Sequence, residues 1–134
     1  MRWAAALIDY ALWLIFQWIL LFTLGTGSTD ADGLTSYTIE GPLGVLLPML
    51  SWFIFLPLFE AINDGKTIGK AMLRLRAVNK NGNRASFGTL VARHLLDFVD
   101  YLPFFGIVGV IVSANANQNQ RVGDMVAGTI VIRD

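Results

Sequence analysis

Residues 3–24 read WAAALIDYALWLIFQWILLFTL, an apolar run interrupted only by Asp9, Gln17 and Thr23. As an α-helix rising about 1.5 Å per residue, the run spans roughly 33 Å, which matches the hydrocarbon core of a bilayer. A secretory signal is the competing reading. Against it, Asp9 falls inside what would be the apolar region, and no small-x-small cleavage site follows. Residues 43–62, LGVLLPMLSWFIFLPLFEAI, form a second run of similar length that contains Pro48 and Pro57. Membrane helices tolerate proline where neighbouring groups satisfy the freed carbonyls, so this span is expected to be kinked.

Composition agrees with these two runs. Of 134 residues, 54% are hydrophobic and the mean hydropathy is +0.56, well above a soluble average for a chain of one-domain size. The formal net charge is zero, so no whole-molecule field argues for nucleic acid as a partner. There is no cysteine, which removes disulfides, thiolate metal sites and a cysteine nucleophile together.

The segments between the runs set the orientation. Residues 25–42 carry Asp30, Asp32 and Glu40 but no Lys or Arg, and they are too few for an extracytoplasmic domain. The segment after the second run holds Lys66, Lys70, Arg74, Arg76, Lys80 and Arg84, six of the chain's ten basic residues. By the positive-inside rule this segment is cytoplasmic, and so is the amino terminus with Arg2. Leu73, Leu75, Ala77 and Asn79 alternate with Arg74, Arg76, Val78 and Lys80 ahead of Asn81-Gly82, the strongest short hairpin signal. A small cytoplasmic hairpin is expected over about 71–86. The β-branched terminal run over about 128–133 is available as a third strand, because two strands alone are marginal.

The region over about 87–115 is expected to be a broken helical element. Residues 87–102 are amphipathic, with Arg93, Asp97 and Asp100 on one face and Val91, Leu95, Phe98 and Leu102 largely on the other, and Pro103 then interrupts. A fold-back at Pro103 is expected because it lets the terminal strand reach the hairpin. The fold class is therefore a mainly α, polytopic membrane domain over 1–134, with two full spans, a third broken region and a small cytoplasmic sheet.

Charged residues in or near the spans are the candidate site. Asp9 shares a helix face with Arg2 and lies roughly 10 Å deeper. An ionised Asp at such depth costs about 2.5–3.5 kcal/mol on insertion scales, so it should face protein or a wet cavity. Either it forms an ion pair that orients the helix, or it exchanges a proton or holds a cation. Glu60, near the cytoplasmic end of the second span, is expected to reach headgroup water. Arg93, Asp97 and the sole imidazole, His94, are expected to lie in the headgroups on an interfacial helix. Gly65-Lys66-Thr67 is no phosphate loop, because that pattern needs a glycine where Glu60 stands. Gly65 and Gly69 are instead expected to turn the chain into the hairpin. The Asn- and Gln-rich stretch Asn115 to Gln120 reads as a polar exit from the last helix. No nucleophile triad, metal-ligand cluster or carboxylate dyad is legible, so neither catalysis nor a metal or cofactor is expected.

Arg2 and Asp9, with Ala5 and Ala6 between them, the Gly-Lys-Thr-x-Gly-Lys segment from Gly65 to Lys70, and the closing Gln-Arg-x-x-Asp-x-x-Ala-Gly-Thr segment from Gln120 to Thr129 together resemble the RDD family of membrane proteins. The family is named for one arginine and two aspartates, here Arg2, Asp9 and Asp124. The resemblance implies a multi-pass protein of a prokaryotic cytoplasmic membrane, described in the family as transport-related, with some members linked to sodium and proton exchange. Many members carry His before the last aspartate, where this chain has Gly123.

Two functions stay open on this reading. The chain is a transport-related protein acting through Arg2, Asp9 and Asp124, with Glu60, Arg121, Arg93 and Asp97 as secondary candidates. Alternatively, it is a non-catalytic accessory subunit whose Trp3, Trp13, Trp18 and Trp52 anchor at interfaces or fill a protein contact. Either way its partners are the lipid bilayer and a homo-oligomer or larger membrane complex, since so few helices cannot enclose a pathway alone. Topology offers a direct check: in intact cells a cysteine at Asp32 should react with an impermeant thiol reagent, and one at Asp134 should not. Labelling at Asp134 would contradict the fold-back.

Overall fold

A computed structural model describes the backbone of residues 1–101, 111, 114–115 and 120–133, and the side chains of these except 98–101. Helix α1 runs Arg2–Leu24. A hairpin of β1 (Thr26–Thr29) and β2 (Thr35–Thr38) leads to helix α2 (Leu43–Phe53). A π-helical turn, Ile54–Leu58, joins α2 to the short α3 (Phe59–Ile62). Helix α4 (Ile68–Met72), strand β3 (Leu75–Asn79), helix α5 (Phe87–Tyr101), helix α6 (Val122–Ala127) and strand β4 (Thr129–Arg133) follow.

Arg2–Leu24 and Leu43–Ile62 are both long and apolar enough to cross a membrane, and only 11% and 22% of their most apolar windows are buried inside the chain. A core helix of a soluble protein would be covered by its own fold, whereas Leu14, Ile15, Trp18, Ile19, Val45 and Met49 all stand more than half exposed. Their covering must come from lipid or another chain. Pro48 lies inside α2, and Pro57 lies in the π-helical turn, where the wider winding accommodates the missing donor. Ser51 ties the spans together. Its hydroxyl accepts from Trp13 Nε1 at 3.1 Å and from Gln17 Nε2 at 2.5 Å, and donates to the Pro48 carbonyl at 2.9 Å. Gln17 is thus a half-buried polar group that finds a partner across the helix pair.

The expected hairpin over 71–86 forms only in part. Asn81-Gly82 does make a tight turn, with Gly82 at φ 79° and its N–H donating to Asn79 O at 2.8 Å. Beyond the turn a single bridge, Val78 to Arg84, replaces the second strand. The reason lies in Ser86, whose hydroxyl accepts from the Thr89 N–H at 3.3 Å and so caps the start of α5, drawing the chain out of extended conformation. The partner of β3 is β4, antiparallel with Val78 opposite Ile130, so the terminal strand lies against the basic segment as expected. The first strand is also shorter than its alternation suggests, because Ala71 and Met72 belong to α4 and Arg74, at φ 55°, breaks the chain between them. The β1–β2 hairpin was not expected; its Ser and Thr side chains are exposed on both strands. The fold-back at Pro103 lies outside the described residues.

Helix α4 docks against α1 at Gly69. A Cβ built there would sit 2.1 Å from the Ala5 carbonyl oxygen, so only glycine permits this approach. Gly65, at φ 78°, makes the expected turn before α4, whereas Gly69 lies inside α4 and serves the contact with α1 rather than the turn. Gly69→Val should therefore lower stability by about 1–3 kcal/mol or more, the usual cost of overpacking against rigid backbone. A thermal midpoint in detergent equal to the parent's would contradict the docking.

Candidate functional site: a buried charge network

Helix α5 is turned opposite to expectation. Arg93, His94 and Asp97 are 5%, 4% and 8% exposed, while Leu95 on the other face is 60% exposed. Glu60, expected to reach headgroup water, is 0% exposed. Both expectations are corrected for the same reason: each of these charges has a partner inside the fold, and a buried charge is retained where it is paired and hydrogen-bonded.

Glu60, on α3, is the hub. Its Oε1 accepts from Lys70 Nζ and from Arg93 Nη1 at 2.9 Å, and its Oε2 lies 2.5 Å from His94 Nε2. On the far side of the imidazole, Nδ1 lies 2.8 Å from Asp97 Oδ2. Arg93 reaches the other way as well, its Nε donating to Asp124 Oδ1 at 2.6 Å. Asp124 is 1% exposed and pairs also with Arg2, while the Arg121 N–H at the start of α6 donates to it at 3.2 Å. Burial alone would raise the Asp124 pKa, but the guanidiniums of Arg93 and Arg2 hold it below the usual carboxylate range. Burial likewise works against a charged His94, yet the Glu60 and Asp97 carboxylates raise it above its ordinary value.

Arg2 and Asp124 are thus brought together as an ion pair. Asp9 takes its hydrogen bonds from α4: Thr67 Oγ1 donates to Oδ2 at 2.6 Å and the Gly69 N–H to Oδ1 at 2.7 Å. Thr67 is also the N-cap of α4, so Asp9 fastens the start of that helix to α1. Arg121 lies 4.7 Å above the Trp3 ring, a cation–π contact, and Trp52 meets the His94 ring edge-on at 6.4 Å. Arg2, Asp9, Lys70, Arg93, His94 and Asp97 all line one cleft, with room for about one water molecule or a bare small ion.

Sequence reasoning places neither Thr67 nor Lys70 among the site residues, Lys70 entering only as part of the orienting basic segment and of the family-like run. Their signal was the Gly-Lys-Thr-x-Gly-Lys segment, whose final Lys is 8% exposed and pairs with Glu60. Replacing Asp124 by Asn would leave both Arg2 and Arg93 short of a counter-ion at a buried site, at a cost of about 3–5 kcal/mol. Asp9→Asn keeps one acceptor oxygen and should cost less, about 1–3 kcal/mol. Unfolding of the two variants in one detergent checks the order, and equal, negligible losses would contradict the network.

The pattern of the RDD family matches residues 1–128. A Bacillus subtilis (strain 168) protein named "Uncharacterized protein YckC" is 29% identical over 133 residues, covering 97% of this chain and 80% of its own length. A Haemophilus influenzae protein named "Uncharacterized protein" is 33% identical over 72 residues, covering 52% of this chain and 46% of its own. No solved structure matches the chain. Since the family pattern takes in both long apolar helices, the basic segment and Asp124, the chain belongs to the RDD family of membrane-type proteins.

Proposed function

We propose that this protein exchanges a small cation for a proton across a prokaryotic cytoplasmic membrane, as a homo-oligomer or with a membrane partner. The supporting observation is the cleft lined by Asp9, Lys70, Arg93, His94 and Asp97, which combines buried acids with space for an ion and too little for an organic substrate. In this reading the amino terminus, the basic segment and β4 are cytoplasmic, and the network sits at the cytoplasmic end of the spans. Arg2, Asp124 and Arg121 hold α1, α5 and α6 in place around the cleft. No covalent chemistry is involved and no cofactor is required.

The nearly bare flanks of α1 and α2 favour a second reading, that of an accessory subunit. A larger membrane protein would cover those flanks, and the network would then serve only to hold the small chain together. Reconstitution separates the two. The purified native assembly in liposomes should drive sodium against a proton gradient, and Asp9→Asn should lower the rate at least about tenfold, as expected for loss of a group that acts directly on the transported ion. Silent liposomes from a verified native assembly would contradict exchange and leave the accessory reading.

A further inference from the structure

The chain has one histidine, and both of its ring nitrogens face carboxylates. An ionised carboxylate only accepts hydrogen bonds, and a neutral imidazole has a single N–H to give. Contacts of 2.5 Å to Glu60 and 2.8 Å to Asp97 can both be hydrogen bonds only if the trio carries one proton beyond two carboxylates and a neutral ring. We propose that Asp97, His94 and Glu60 form a proton-binding relay, with the extra proton resting on the imidazole at neutral pH and moving between the outer and the inner acid.

The extra proton has three placements. It sits on Asp97 Oδ2, on the ring, or on Glu60 Oε2. Breaking the Oδ2–H bond as Nδ1–H forms, then the Nε2–H bond as Oε2–H forms, carries it inward without changing the number of protons. The direction has structural meaning, because the Asp97 side chain is 11% exposed and that of Glu60 is wholly buried. Arrival at Glu60 neutralises the acid that Lys70 and Arg93 share, loosening the ties of α3 to α4 and α5.

The surroundings fix what the proton does to the cluster's charge. Lys70 of α4 and Arg93 of α5 reach Glu60 directly, and Asp124 of α6 faces Arg93. Arg2 and Asp9 of α1 and Arg121 line the same cleft, and Trp52 of α2 closes the ring's edge. Arg2, Lys70, Arg93 and Arg121 balance Asp9, Glu60, Asp97 and Asp124, so relative to these eight groups the stored proton is one added positive charge. A monovalent cation replacing it leaves that charge unchanged. Here the inference rests on the exchange reading, with the proton as coupling ion and His94 as its carrier. The raised affinity of His94 for protons agrees with this assignment.

The full chain, labelled with nitrogen-15 in histidine and placed in lipid nanodiscs, gives the ring signals of a single residue. Both nitrogens should be protonated at pH 7.5, where a free imidazole is about nine-tenths neutral. Asp97→Asn should lower the titration midpoint by about one unit or more. Glu60→Gln should do the same; if that variant fails to fold, Asp97→Asn at the outer end still decides. A ring singly protonated at pH 7.5, or a midpoint unmoved by Asp97→Asn, would overturn the relay. The sodium flux of the same preparation is read separately. A doubly protonated ring without flux supports the proton site and contradicts exchange, while flux with a singly protonated ring overturns the relay alone.

Discussion

The wholly buried carboxylate of Glu60 constrains the rest of this structure. A charge removed from water at the end of an apolar helix has to be matched by donors that the fold itself supplies. Here they come from two separate elements, Lys70 from α4 and Arg93 and His94 from α5. Arg93 then needs a second acid, which Asp124 provides, and Asp124 draws in Arg2 at the start of α1. One interaction therefore joins the first span, the second span and the carboxy-terminal elements, although the buried hydrophobic side chains among the described residues are few: Ala5, Leu56, Leu75, Ala77, Val78, Ala85 and Leu90.

This arrangement suits a protein whose solvent is lipid. Apolar packing between helices gains little where the surroundings are equally apolar, so polar contacts carry more of the specificity. The same division recurs at smaller scale in the Ser51 cluster with Trp13 and Gln17, and where Asp9 fastens α4. Helix α5 accordingly has its charged face inward and Leu95 outward, the reverse of a helix in a soluble protein.

The large features were legible in the sequence because each rests on a local property. The two apolar runs, the two prolines in the second, the turn at Asn81-Gly82 and the β-branched terminal strand all have signatures within a few residues. The partners of the charges do not. Amphipathicity over 87–102 fits a helix bathing its charges in headgroups as well as one turning them toward a buried acid, and nothing within the helix separates these cases. Asp9, expected to face protein or a wet cavity, is buried, but its donors, Thr67 and the Gly69 N–H, depend on a close backbone approach far along the chain. Lys70 was hidden by the same ambiguity, since a lysine just outside a span serves orientation in most membrane proteins. The β1–β2 hairpin lacked any apolar alternation to reveal it, its strands being hydroxyl-rich and exposed.

The account stands on coupling between these buried charges, which a double-mutant cycle between Arg93 and Glu60 measures most directly. Arg93→Met and Glu60→Leu are made singly and together, and each unfolding free energy is read in the same detergent. The network predicts large single losses and a double variant more stable than their sum implies, with a coupling of about 0.5–3 kcal/mol or more. Strictly additive losses would show that the two side chains do not meet, and would contradict the network as the element that holds the fold together.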